Sequence, residues 1–571
     1  MKIKFAGYSG PLKNLVLSKK KINHALREKI PYLPSLVLNH RQLCDLELLI
    51  NGSFSPLEGF LNEDDYYSVI SRMRLRNGVI WPIPIVLDVD ASTDYKVGSE
   101  IILCDTYGRT IAIFEVSSKY TVDKKKEAKL VYGTTDKNHF GVDYLLTNLK
   151  HYYLGGKVSA LSYIERYDFS TFRHTPQELQ NWFKTNKWTT VIGFQTRNPL
   201  HKVHYALIQH AAKQNNGKVL IHPAVGMTKN GDIDYITRIR CYIAFYNTYV
   251  KEFAKLSLLP LAMRMAGPKE AIWHAIVRKN YGCTHFIIGR DHAGPGKNAR
   301  GVPFYGEYDA QELSNIYASE IGIEIIPFQE MVYVEDRKQY LFKNEVETTH
   351  IVKNISGTIF RKMLLENQEI PAWFSFPEVI QELKKSITKQ EKRGITIFFT
   401  GLPSAGKSTL AILLYYKLLE LQSKTVTLLD GDIIRQSISK GLGFSKEDRT
   451  ENIRRIGFVA NEITKHGGIA VCAALAPYRN GREENRKIIS HHGTYIEIYV
   501  ATPLRICKKR DIKMLYKKSA LRMIKGLTGI DDPYEPPKKA EVVIDTTTKT
   551  PQECVNKILS YLKSENLIKF D

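Results

Sequence analysis

A multidomain α/β protein is the fold class that the sequence predicts, and three observations predict it. The chain has 571 residues, too many for one hydrophobic core and enough for about three to four domains. Residues 1–165 are rich in strand composition and turns. From residue 166 onward, short apolar runs alternate with helix-forming segments, the pattern of parallel strands covered by helices.

The elements follow in order. In residues 1–165, GVIWPIPIVLDVD (78–90) and RTIAIFEVSSKY (109–120) read as strands bounded by Gly, Asp and Pro. In residues 166–325, TTVIGF (189–194), KVLIHPAV (218–225) and HFIIGRDH (285–292) read as buried strands, and EAIWHAIVRKNY (270–281) as a helix. Residues 326–392 form a smaller unit ending in EVIQELKKSITKQEKRG, a charged helix or linker. Residues 393–571 carry five apolar runs, TIFFT, TVTLLD, IAVCAALA, YIEIYVA and AEVVIDT. With helices between them, these make a five-stranded parallel sheet.

The net charge of +23 is unusual for a globular protein. It is open to two readings: solubility and loose attraction to nucleic acid, or clefts that collect anionic substrates. No nucleic-acid-binding signature supports the first. The seven cysteines are scattered, odd in number and without a CxxC pair, which points to a reducing compartment and away from a disulfide framework or zinc site. The opening MKIKFAGYSG lacks a signal-peptide core, and no apolar run approaches the roughly 18 residues of a membrane span. The expectation is a cytoplasmic protein with no membrane and no nucleic-acid partner.

The most specific motif is ITIFFTGLPSAGKSTL at 395–410. A β-branched run enters Gly401-x4-Gly406-Lys407-Ser408, and a helix-forming stretch follows. Gly401, Leu402, Pro403, Ser404, Ala405, Gly406, Lys407, Ser408 and Thr409 form a loop whose N–H groups can wrap a polyphosphate. Lys407 can reach β/γ oxygens and the Ser408 hydroxyl can ligate Mg²⁺. Downstream, Asp430-Gly431-Asp432 places two carboxylates at a strand end. A turn after the strand is the plain alternative there.

A second centre is read from VIGFQTRNPLHKVHYALIQH (191–210). A strand leads to Gln195, Arg197 and Asn198, and Pro199 marks the expected helix start. His201 and His204, spaced i,i+3, then lie on one face of the first turns. They can be donors to an anion, a packing pair, or metal ligands, although neither HExxH nor a cysteine partner is present. HFIIGRDHAGPG (285–296) ends a strand in Gly289-Arg290-Asp291-His292, and a guanidinium at such an end suits phosphate or sulfate. HPAVGMTKNGDIDYITRIR (222–240) and LAMRMAGPKEAIWHAIVRKN (261–280) lie between them. Four such loops in one α/β unit favour a shared site over four solvated faces.

At these residues the chain resembles known families. QTRNPLHKVH, GDIDYITRIR, MRMAGPKEA, GRDHAGPG and ISGTIFRK are similar to ATP sulfurylase. GLPSAGKST, LLDGDIIR, GFSKEDRTENIRR, APYRNGREENR and KGLTGIDDPYEPP are similar to adenylylsulfate kinase. The resemblance covers nearly the whole chain, sulfurylase first. It implies an N-terminal PUA-like domain, a Rossmann-like nucleotidyltransferase domain with a small α/β appendage, and a C-terminal P-loop kinase.

The resemblance also implies roles. Gln195, Arg197 and Ala293 hold sulfate. Thr196, Arg197 and Asn198 form the catalytic turn, and His201 and His204 stabilise the phosphates of leaving pyrophosphate. Gln195, Asn198, Gly289, Arg290, Asp291, His292 and Met331 line the ATP pocket. In the kinase, Asp432 accepts the proton of the ribose hydroxyl, while Asp430 and Ser408 organise Mg²⁺. Arg435, Phe444, Arg449, Asn452 and Lys525 bind adenylyl sulfate (APS), and 513–537 forms a lid. Mg²⁺ accompanies ATP, no tightly bound organic cofactor is expected, and the substrates are ATP, sulfate and APS. A homo-oligomer is expected. Two departures stand out: Ala476 replaces a serine frequent in the family, and Leu527 replaces a phenylalanine that would stack on the acceptor adenine.

Overall fold

The computed structural model describes residues 10–105, 109–166, 168–229, 232–391, 394–420, 425–511 and 515–568. Residues 1–9, residues 392 and 393 at the expected linker, and residues 513 and 514 of the expected lid lie outside the described residues. Two compact units divide the chain, Met1–Lys385 and Ser386–Asp571.

The first unit opens with six strands: β1 (Ser35–Val37), β2 (Gly59–Phe60), β3 (Leu87–Val89), β4 (Glu100–Cys104), β5 (Thr110–Thr121) and β6 (Tyr152–Ala160). Their order is β1-β4-β5-β6-β2, with β3 also pairing β6. The run GVIWPIPIVLDVD becomes a strand only at Leu87–Val89, although Trp81, Ile83, Ile85 and Val86 are all buried. Pro82 and Pro84 have no N–H to give a ladder, so before Leu87 the segment keeps only an isolated bridge of Ile80 with Arg74 and single bonds such as Leu61 N–H to the Ile85 carbonyl at 3.0 Å.

A second sheet follows, built from β7 (Val191–Phe194), β8 (Lys218–Ile221), β9 (Ala254–Leu256), β10 (His285–Ile288) and β11 (Glu324–Pro327). It is wholly parallel, in the order β11-β10-β7-β8-β9. The chain builds outward from β7 to β8 and β9, then crosses to the other side for β10 and β11. The crevice between the carboxyl ends of β7 and β10 is therefore the topological switch point, where open parallel sheets bind ligands.

One hydrophobic core runs through both layers, from Leu38 to Ile325. Phe54 touches Trp81 from the first layer and Trp273 from the second, at ring-centroid distances of 5.7 and 5.3 Å. A buried ionic chain reinforces the join. Arg264 donates to both oxygens of Asp45 at 2.8 and 2.7 Å, and Arg41 donates to Asp45 at 3.0 Å and to Asp88 at 2.5 Å. A small antiparallel sheet completes the unit, with β12 (Met331–Val334) between β13 (Gln339–Phe342) and β14 (Val352–Lys353). The helices Gly357–Leu365 and Pro377–Glu391 follow it.

The second unit contains β15 (Ile395–Gly401), β16 (Val426–Asp430), β17 (Ile469–Ala473), β18 (Thr494–Val500) and β19 (Val542–Ile544). All are parallel, in the order β16-β17-β15-β18-β19, and each falls on one of the five apolar runs. Every residue of β15 is buried, as a central strand covered on both faces requires. The P-loop leaves the carboxyl end of β15 and enters the helix Lys407–Glu420.

Candidate active sites

In the first unit, β7 delivers Gln195, Thr196, Arg197 and Asn198 to the switch point. The turn is pinned. The Thr196 hydroxyl accepts the Asn198 N–H at 3.1 Å, and the Thr196 carbonyl accepts the Ala224 N–H at 3.0 Å. The buried Arg238 donates to the carbonyls of Arg197 and Ala224 at 3.1 and 3.2 Å. Arg197 sends Nη1 to the Asp232 carboxylate at 3.0 and 2.9 Å, which fixes the guanidinium's direction. The Gln195 Oε1 atom is buried without a hydrogen-bond partner among the described residues, whereas buried polar groups are ordinarily satisfied. Such an atom is what a ligand site leaves open.

The helix after this turn is Lys202–Gln214, so it starts three residues later than Pro199 led us to expect. His201 is the residue before it, in extended backbone, rather than a residue on its face. The change matters for the chemistry. The His201 N–H donates to Nδ1 of His204 at 3.0 Å, which leaves His204 its proton on Nε2. Burial lowers the pKa of His204 to about 4, and burial followed by the charge of His204 lowers that of His201 to about 3. Both rings are neutral donors at neutral pH, not cations.

The facing loop leaves β10. Asp291 and Ala293 adopt left-handed backbone, φ +50° and +56°, a conformation unusual outside glycine and frequent where a loop shapes a site. The Asp291 N–H donates to the Glu307 carbonyl at 2.8 Å, and the Ala293 N–H has no partner among the described residues. A Cβ on Gly294 would lie 1.7 Å from Asp291 Oδ1, so any side chain there would displace the Asp291 carboxylate. His292 contacts the buried His274 ring, Nε2 to Nδ1 3.0 Å, and Glu270 lies 3.2 Å beyond it. Arg290 pairs with Glu330 at 3.1 Å, which brings the next residue, Met331, beside this loop. Cationic groups converge here. Burial and then the charge of Arg197 lower the pKa of Lys229, which also feels Arg361 from the appendage. Burial raises the pKa of Asp291 against the pull of Arg197 and Lys229. The expected residues at 195–204 and 289–293 thus meet on adjacent strand ends. Asp232, Arg238, His274 and Glu270 join them without having been singled out, although all four lie inside quoted motifs.

In the second unit, Gly401 and Gly406 take φ +151° and +106°, and a Cβ on Gly401 would lie 2.6 Å from the Val500 carbonyl oxygen. Only glycine suits both positions. Ser404 also takes a left-handed φ of +59°. The loop is braced from outside: the Tyr516 hydroxyl donates to the Pro403 carbonyl at 3.0 Å, and the Thr502 and Thr546 hydroxyls donate to the Ala405 carbonyl at 3.0 and 3.1 Å. These three braces carried no sequence signal. Lys407 Nζ donates to the carbonyls of Gly401 and Leu402 at 2.9 and 2.8 Å. The Ser408 hydroxyl donates to Asp430 Oδ2 at 2.8 Å, and Asp430 Oδ1 accepts the Asp432 N–H at 3.0 Å. Asp430 is buried and held, whereas Asp432 is exposed at the start of the helix Gly431–Gln436.

Next to these carboxylates, Phe444 is 66% exposed, with the Arg435 and Arg449 guanidinium carbons 4.7 and 5.7 Å from its ring centroid. Burial, and then Arg449, lower the pKa of Arg435, so two cations are held together around an open aromatic face. Arg449 donates to the Phe444 carbonyl at 2.8 Å, to Thr528 Oγ1 at 2.9 Å and to the Gly526 carbonyl at 2.7 Å, joining this pocket to the lid segment. Asn452 Oδ1 is buried without a partner among the described residues. Lys525 is exposed beside Gly526. Leu527 belongs to the hydrophobic core rather than to the pocket, and Ala476 holds a left-handed φ of +43° while its carbonyl accepts Arg482 at 2.6 Å.

A cation-lined switch point in one unit and a P-loop beside an aromatic, cationic pocket in the other define a nucleotide-handling transferase with two centres. Comparison with known proteins gives the same class. The chain matches the family models PUA-like domain over residues 5–163, ATP-sulfurylase over 170–386 and Adenylylsulphate kinase over 393–545. It is 46% identical to the sulfate adenylyltransferase of Phaeosphaeria nodorum over 98% of this chain and 99% of that protein. It is 45% identical to that of Mycosarcoma maydis over 99% of this chain and 100% of that protein. Among solved structures it is similar to a hexameric APS kinase from Thiobacillus denitrificans, at TM-score 0.74 and 33% identity, covering 99% of this chain and 100% of that one. The chain belongs to the sulfate adenylyltransferase family, and it carries an adenylylsulphate kinase domain.

Proposed function

We propose that the chain catalyses two successive reactions. In the first unit, a sulfate oxygen attacks the α-phosphorus of ATP, and diphosphate leaves as adenylyl sulfate forms. In the second, the γ-phosphoryl of another ATP passes to the ribose 3′-hydroxyl of adenylyl sulfate, giving PAPS. The observation that supports the second step is the Ser408–Asp430 hydrogen bond of 2.8 Å beside a P-loop that keeps Gly401, Gly406, Lys407 and Ser408.

Sulfate has no proton to lose, so the first centre needs alignment and charge neutralisation rather than a base. Arg197, Gln195 and the Ala293 amide offer donors for sulfate, and neutral His201 and His204 offer N–H groups to the leaving phosphates. Gly289, Arg290, Asp291, His292, Met331 and Asn198 surround the nucleotide. In the second centre an alcohol must be deprotonated, and the exposed carboxylate of Asp432 takes that proton in this reading. Arg435, Arg449, Asn452 and Lys525 bind the acceptor, and Phe444 stacks on its base. The oxygens of the half-buried Ser408 and the buried Asp430 fit Mg²⁺, which would neutralise phosphate charge when bound with ATP.

A second reading has one observation in its favour: relatives that match both units are named for the first activity alone. In that reading the second unit binds nucleotide and controls the first without turnover. Purified protein given ATP and sulfate, then labelled ATP and adenylyl sulfate, separates them. Diphosphate release with 3′-phosphorylated product supports the two-step reading, and diphosphate release without it favours the second.

We retain 1–165, 166–325, 326–392 and 393–571 as domain limits. We also infer a homo-oligomer, in line with the hexamer described for the Thiobacillus denitrificans protein. A cytoplasmic location fits seven cysteines that are all free and buried. Among the described residues, no helix is long and apolar enough to cross a membrane.

A further inference from the structure

One hydroxyl of the small appendage meets a histidine of the first centre. Ser375 Oγ lies 2.8 Å from Nδ1 of His201, and Ser375 is 1% exposed. Among the described residues this hydroxyl has no other partner. Were it to accept a proton from Nδ1, its own hydrogen would be buried without an acceptor, which folded proteins avoid. It therefore donates, and the ring must carry its hydrogen on Nε2. The clamp is rigid. The His201 ring sits 4.9 Å from Phe360 and 4.8 Å from Phe374, and the Lys202 N–H donates to the Phe374 carbonyl at 3.1 Å. His204 reaches the same state by another route, through the His201 N–H on its Nδ1.

We infer that Ser375 is a positioning residue of the first centre: its hydroxyl fixes the His201 tautomer, so that Nε2–H is the edge offered to the nucleotide phosphates. The inference rests on the role proposed for His201. Nothing in the motif reading singled out PAWFSFPEV, in which Ser375 lies.

The test uses the full chain and diphosphate release from ATP and sulfate. Ser375→Ala is expected to lower kcat about tenfold with both KM values within about twofold, since a mis-set tautomer acts on the transition state. In a His201→Ala background the same substitution adds less than about twofold, because the two residues act as one unit. Histidine ¹⁵N shifts of the wild-type protein are expected to show His201 protonated on Nε2 alone. Wild-type kcat in Ser375→Ala, an undiminished further loss on top of His201→Ala, or an Nδ1–H tautomer each overturn the inference. Wild-type kcat in His201→Ala instead removes the role on which it rests, and so overturns both together.

Discussion

Arg197 and Asp232 form a partly buried ion pair, Nη1 to the two carboxylate oxygens at 3.0 and 2.9 Å, at the mouth of the β7–β10 crevice. A carboxylate beside the proposed sulfate site opposes binding of the dianion, so its value lies in holding the guanidinium still. For Asp232→Asn we expect kcat of diphosphate release to fall about tenfold or more through lost alignment. The KM for sulfate should not rise, because a repelling charge has gone. Steady-state kinetics with varied sulfate check this, and a raised KM at unchanged kcat would count against it.

The two proposed triphosphate sites belong to separate compact units, and Lys407 is the P-loop cation of the second. Lys407→Ala should abolish transfer of labelled γ-phosphate to adenylyl sulfate while diphosphate release stays within about twofold of wild type. Equal loss of both activities in folded protein would show that the centres are not separable.

Burial holds His201 and His204 at about 3 and 4, and His139 and His174 both at about 4. In the unfolded chain these imidazoles take up protons near pH 6.5, while the folded protein leaves them neutral. Stability is therefore complete above about pH 6.5 and is lost progressively as pH falls towards about 4. Urea unfolding at a series of pH values should show midpoints falling over that window. A midpoint that is flat or rises on acidification contradicts the assignment. The rate of diphosphate release should likewise show no titration near pH 6.5 that disappears in His204→Ala.

Asp45 is fully buried and accepts from both Arg41 and Arg264, joining the β-rich layer to the catalytic sheet. Asp45→Ala leaves two buried guanidinium groups without their shared counter-charge, and we expect a loss of about 3–5 kcal/mol. Denaturant unfolding monitored by fluorescence measures it, with buried Trp81 and Trp273 as reporters. A loss below about 1 kcal/mol, the usual range of a surface pair, would contradict this role.

Much of this architecture is legible in the chain. The five strands of the second unit fall on its five apolar runs, because parallel strands buried on both faces need continuous apolar sequence. The P-loop glycines announce themselves through backbone angles that other residues resist. Elsewhere local reading meets its limits. GVIWPIPIVLDVD has strand composition but forms a continuous ladder only at its end, since two prolines remove ladder donors while tertiary packing still buries the side chains. The short strands Ala254–Leu256 and Glu324–Pro327 give too few residues for a periodicity. The helix expected from Pro199 waits until Lys202, because His201 stays extended and gives its N–H to a side chain.

From the order of residues alone come the residue types at each centre: the glycines, Lys407 and Ser408, the Asp430–Asp432 pair, and the Arg and His donors near 197 and 290. Those depend on local spacing, which a linear reading captures. What binds each donor and sets its charge depends on chain segments far apart in sequence. Ser375 meets His201 across 174 residues, Asp232 meets Arg197 across 35, and Arg449 meets Thr528 across 79. Only the folded chain brings such partners within hydrogen-bonding distance and withdraws water from them. The neutral state of the histidines and the fixed aim of Arg197 were therefore decided by tertiary structure.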